Sequence, residues 1–236
     1  MSDAGAVDDA LDDFLDKWRG RWPEWRIAGV FVSEAERPVA EAWFALQQEW
    51  TDAAWAGADP TPGFAKLGWW QEELQGWSKG LRRHPLGRVL QKRQAPWAQL
   101  AAALPALQVA REPLRAWTPA IEVAPTLQPL GEAMAACESA LFVADRSTAP
   151  DPNAVDGYAL LAAHALWQRD EAETAARARA WAEALAARVP TPGATRPRRI
   201  HDALIRGRLR RLAAHGRIAA LPPAAALWRG WRAARG

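Results

Sequence analysis

Apolar residues return every third or fourth position along almost the whole chain. Trp43, Leu46, Trp50 and Ala54 do so within 34–56, and Phe64, Leu67, Trp70, Leu74 and Trp77 within 62–79. The pattern continues through Leu86, Val89, Leu90, Trp97, Leu100 and Leu104 in 85–104. It returns at Leu127, Leu130, Met134, Cys137, Leu141 and Ala144 in 126–145. That period belongs to amphipathic α-helices with one face in a core. Shorter or Ala-rich helices are predicted over 7–18, over 155–189 as one long helix or a pair, and over 198–220 and 222–235. Ser33, with Glu36 three residues on, reads as a capping box that starts the 34–56 helix. Gly57 to Pro60, Gly80, the turn at 150–153 and the loop at 190–197 are breaks, and four prolines cut 105–125 into short pieces. The one β-like run, Ile27 to Val32, is too short to build a sheet. The expectation is an all-α, single-domain bundle spanning 1–236.

Composition changes this picture little. The 236 residues include 15 Trp but one Tyr, and 26 Arg against four Lys. GC-rich codons account for part of that bias, and the tryptophans are expected mostly in the core. A single cysteine excludes an intrachain disulfide and argues against a Cys-based zinc site. Cys137 lies on the 126–145 apolar stripe and reads as a core residue of a protein from a reducing, cytoplasmic setting. His84, His164, His201 and His215 form no metal-binding spacing. No stretch has the ~20 apolar residues of a membrane span, and the acidic start does not resemble a secretory leader.

Charge is more informative. Residues 1–16 carry six Asp and no basic residue, whereas 196–236 carry eleven Arg against Asp202. In the latter, Ile200, Leu204, Ile205, Leu209 and Leu212 make an apolar side with Arg198, Arg199, Arg206, Arg208, Arg210 and Arg211 around it. Segment 198–235 is therefore a candidate surface for an anionic membrane, peripheral to the inner membrane, or for an acidic protein partner. An internal helix with arginines on its solvent face gives the same pattern. Nucleic acid is not favoured. Asp12-Asp13-Phe14-Leu15-Asp16 spells a magnesium-binding DDxxD, but among Asp8 and Asp9 it reads as the acidic start of a helix. Its carboxylates are expected to face solvent.

A more specific string is Lys66-Leu67-Gly68-Trp69-Trp70-Gln71-Glu72-Glu73-Leu74, followed by Gly80-Leu81-Arg82-Arg83-His84-Pro85-Leu86. It resembles the "RLxxWREEL…GxxxHPV" segment of the squalene/phytoene synthase family, which includes the related complex I assembly factors. Pro23-Glu24-Trp25 to Arg37, Ala42-Trp43-Phe44-Ala45-Leu46, Cys137-Glu138-Ser139-Ala140 and Leu227 to Arg232 are similar in order to its other landmarks. The resemblance implies an isoprenoid-synthase bundle of about eight helices around a central cavity. Trp70, Glu72, Glu73, His84 and Pro85 are its motif residues, mostly structural in role, with Pro85 in the first turn of a helix.

The family's chemistry uses two facing Asp-rich helices whose carboxylates hold Mg²⁺ around prenyl diphosphates. The first such window falls on Gln47 to Trp55, where Thr51 and Trp55 stand on outer aspartate positions and Asp52 remains, with Glu49 one turn earlier. The second falls on Leu166 to Glu173, with Arg169, Asp170 and Glu173 as remnants. The resemblance thus implies a catalytically degenerate member with no assigned cofactor. Such a member would keep an apolar pocket for a prenyl or other hydrophobic ligand and act as an accessory or assembly protein. The alternative is an active Mg²⁺-dependent head-to-head prenyl-diphosphate transferase.

Overall fold

The computed structural model describes residues 3–142, 155–166, 172–188 and 193–236, with the side chains of 3–9 and 172–175 excepted. Every regular element among the described residues is helical. The long helices are α1 (Asp3–Arg21), α3 (Arg37–Trp55), α4 (Thr61–Ser78), α9 (Gln128–Leu141), α11 (Ala172–Ala187) and α12 (Arg196–His215). Shorter ones are α2 (Trp25–Ala28), α5 (Gly87–Leu90), α6 (Trp97–Ala103), α7 (Pro105–Arg115), α8 (Ala120–Val123), α10 (Gly157–Ala165) and α13 (Pro223–Ala234). The all-α expectation holds. The β-like run at 27–32 is instead α2 followed by a 3₁₀ turn at Gly29–Phe31.

Three local readings need correction. The Ser33 hydroxyl donates to the Glu36 carboxylate at 2.8 Å instead of capping an amide, and α3 begins only at Arg37. Pro38 sets that start, because its fixed φ suits the first turn of a helix. The 85–104 helix is broken into α5 and α6, since Pro96 has no amide to donate and displaces Ala95 from helical geometry. Pro85 accordingly lies in the turn before α5. Of the two expectations for 155–189, the helix pair is the one found, as α10 and α11. Ala144 and the turn at 150–153 lie outside the described residues.

One hydrophobic cluster runs from Leu15 to Ala226. The 126–145 stripe reads as expected over its described part: Leu127, Leu130, Met134, Cys137 and Leu141 are all fully buried. Burial raises the Cys137 thiol well above its ordinary range, with the Glu138 charge adding to it, so it stays protonated. Trp22, Trp25, Trp43, Trp50, Trp70 and Trp97 are among the largest fully buried side chains. Several meet edge to face, as Trp43 with Trp50 (centroids 6.1 Å) and Trp77 with Trp97 (5.1 Å). Such pairs add about 0.5–1.5 kcal/mol each beyond their buried area.

α12 is packed against α10, α11 and α13, while α3 packs against α1, α4 and α7. Helices α3 and α4 approach at Gly63, where a Cβ would sit 1.9 Å from the backbone carbonyl oxygen of Ala53. A carbonyl of an α-helix cannot swing aside as a side-chain tip can. Gly63→Ala should therefore displace α4 and cost about 1–3 kcal/mol, the range for overpacking. Urea unfolding of the variant measures it, and an unchanged midpoint would contradict the close approach.

Candidate functional site

A small void beside the first window is bounded by α1, α3, α10 and α12. Gln47, Gln48 and Thr51 from α3 look across it at Ala159, Leu160 and Ala163 from α10. Trp18 and Trp22 close it from α1, Arg198 and His201 from α12. α1 thus forms part of the wall of this void. The void measures about 20 Å³, room for one water. α3 and α10 are also linked where the rings of Trp55 and His164 meet at 4.8 Å.

Each acid of the first window is held by a basic side chain of this chain. Asp52 accepts Gln48 Nε2 on Oδ1 at 2.8 Å and pairs through Oδ2 with Arg21 at 2.7 Å. Glu49 pairs with Lys66. The Thr51 hydroxyl donates back to helix carbonyls of Gln47 and Gln48. The Trp55 indole donates to the Leu107 carbonyl at 2.8 Å, tying α3 to α7. Mg²⁺ needs carboxylate oxygens facing an open coordination sphere. Here both oxygens of Asp52 face N–H donors, so the first window does not fit the ion. Arg169 and Asp170 lie outside the described residues, as does the Glu173 side chain. Among the described residues no three His, Cys, Asp or Glu side chains converge. Asp12, Asp13 and Asp16 are exposed, and Asp16 pairs with Arg19 at 2.9 Å.

Behind the void lies a buried polar network that the sequence did not disclose. Glu138, on the apolar stripe of α9, is 1% exposed. Its Oε1 accepts the Trp43 indole at 2.7 Å and Arg198 Nε at 3.0 Å, and Arg198 Nη2 reaches both this oxygen and Gln47 Oε1. Thr195 donates to Oε2 at 3.3 Å, and Asp202 stands 3.7 Å from Arg198. Burial opposes the Arg198 charge, but the Glu138 and Asp202 carboxylates outweigh it and raise the guanidinium. A second pair joins Arg208 to Glu24, with contacts at 2.8 and 2.5 Å. Glu24 also accepts the Leu221 amide at 2.6 Å. Arg198 and Arg208, read from the sequence as flanking an apolar side, therefore point inward.

His201 stacks on Phe44 at 4.1 Å, with Trp22 edge-on at 4.9 Å. Neither ring nitrogen has a hydrogen-bond partner among the described residues. Burial, and then the Arg198 and Arg208 charges, hold it neutral, far below its ordinary value.

The motif residues form a separate structural knot. Glu73 is 1% exposed, and its carboxylate accepts the Arg83 amide at 2.7 Å, the His84 amide at 2.8 Å, the Trp77 indole at 2.8 Å and Arg83 Nε at 3.0 Å. Burial alone would raise its pKa; the two amides reverse this and lower it. His84 Nδ1 accepts the Leu86 amide at 3.2 Å, and its ring is boxed by Trp70 at 4.6 Å and Phe14 at 4.8 Å. Trp70 is fully buried, while Glu72 is exposed and 3.6 Å from Arg83. Glu73→Ala would strip an acceptor from four donors and should cost about 2 kcal/mol. Chemical denaturation checks this, and Glu73→Gln should lose less.

No family model, curated protein or solved structure matches the chain.

Proposed function

We propose that this chain is a squalene/phytoene synthase-like helical protein in which prenyl transfer has given way to an accessory or assembly role. The observation that carries the reading is the engagement of Asp52 and Glu49 by Arg21 and Lys66, with the Trp55 indole bonded to α7 at a ligand position. A diphosphate-binding helix must present carboxylates to metal ions; α3 spends its acids on holding α1 and α4. The narrow void between α1, α3, α10 and α12 favours the assembly side of this reading over storage of a prenyl chain at that place.

The test is incubation with farnesyl or geranylgeranyl diphosphate and Mg²⁺, scored for released diphosphate. No release above the uncatalysed level is expected, and Asp52→Asn should change nothing. Turnover abolished by Asp52→Asn would establish the Mg²⁺-dependent transferase instead.

A further inference from the structure

α13 is docked through its small residues. A Cβ on Gly230 would lie 2.8 Å from the Ala28 side chain, and the Arg229 stem crosses α12 directly over Gly207. This leaves the rest of α13 facing outward. Leu227, Trp228 and Trp231 are 47%, 52% and 42% exposed, a concentration of large apolar side chains on one short helix. Arginines are interleaved with them: Arg232 lies 5.4 Å from the Trp228 ring and Arg235 4.4 Å from that of Trp231.

Beside this face, α12 and α13 form an open groove of about 690 Å³, lined by Arg206, Arg210, Arg229, Arg232 and Trp228. The guanidinium groups of these four arginines make no direct hydrogen bond or ion pair with any described residue, though Asp202 attracts Arg206. Asp202 is the carboxylate side chain in the lining, and it lies against the buried Arg198. The guanidinium groups also oppose each other: burial first, then Arg210 and Arg206, lower Arg229. Asp202, shared between Arg198 and Arg206, does not balance this concentration of positive charge, and such an excess is matched by an external anion.

We propose that the α12–α13 face docks on an anionic phospholipid bilayer, with lipid phosphates in the arginine groove and Leu227, Trp228 and Trp231 in the headgroup layer. Two observations select a bilayer over a soluble anion. Trp228 at the groove's rim and Trp231 beside it are both about half exposed on a surface helix, and each lies against an arginine; indole rings beside arginines are the side chains that settle at a membrane–water interface. No helix among the described residues is long and apolar enough to cross a membrane, so attachment would be peripheral. The proposal does not depend on whether prenyl transfer has been lost.

The experiment is co-sedimentation of the full chain with vesicles of phosphatidylcholine alone, or with about one-third phosphatidylglycerol, at low and high salt. Binding is expected to the anionic vesicles only and to fall with salt, as surface charges are screened. Arg210→Gln with Arg232→Gln should weaken it about 25-fold, roughly fivefold per arginine. Trp228→Ala with Trp231→Ala should weaken it further, with the helical circular dichroism and unfolding midpoint unchanged. Lys17→Gln with Lys79→Gln, matched in charge but outside the groove, should bind as the parent does. Equal binding to uncharged vesicles, or full binding by the groove variant, would overturn the proposal. So would displacement from vesicles by millimolar inorganic diphosphate that itself binds the groove tightly, since that marks a small-anion site.

Discussion

Glu138→Ala is expected to destabilise the protein by about 3 kcal/mol, because it leaves the buried Arg198 charge with only the more distant Asp202, 3.7 Å away, to offset it. Domains of this size are held by about 5–15 kcal/mol in total, so the variant should be largely unfolded on mild warming. The cost does not measure what the pair contributes. Two charges brought out of water recover in attraction only part of what their desolvation costs. Replacing both partners, Glu138→Leu with Arg198→Met, should therefore be much less damaging than either single change. Urea unfolding of the two singles and the double provides the test. Additive losses would mean that Glu138 and Arg198 act separately, against their direct contacts with each other.

Acid should unfold the protein earlier than its carboxylates alone would predict. Histidine in an unfolded chain titrates near about 6.5. Burial pushes His84 and His164 down to about 4, and His201 lies well below its ordinary value. The unfolded state therefore binds three protons that the folded state refuses, and stability falls as pH drops through this window. Asp202 works the other way. Burial, partly offset by Arg198, raises it to about 6, so the folded state takes up one proton before the unfolded chain does. Near pH ~5 the balance is about two protons, or about 2.7 kcal/mol lost per pH unit, less whatever solvent reaching His84 relieves. Below about pH 4.5 the lowered Glu24 and Glu73 add further loss, because their folded forms resist protonation. Urea midpoints at successive pH values measure the slope. A flat profile from about pH 7 to about pH 5 would mean the buried imidazoles are solvated.

The helices were legible because burial repeats with the helical period, as in the stripe from Leu127 to Leu141. Positions where one residue changes the backbone were less so: Pro96 splits a stretch whose apolar spacing runs on through it. The site was legible in its letters but not in its directions. Asp52 and Glu49 could be found, but not that Arg21 and Lys66 reach them. Glu138 was visible only as a carboxylate inside an apolar stripe, and that interruption was the available signal. Arg198 and Arg208 look like their exposed neighbours in sequence, because what turns them inward is an acid 60 or 184 residues away.

That separation orders events during synthesis. The acids Glu24 and Glu138 leave the ribosome early, and the arginines that neutralise them come from the next-to-last helix. At about 5–20 residues per second, Glu24 waits roughly 10–40 s for Arg208. Until then Glu24 and Glu138 lack the arginines that neutralise them in the folded core, and burying either carboxylate before α12 is made would cost several kcal/mol, on the order given for an unpaired buried charge.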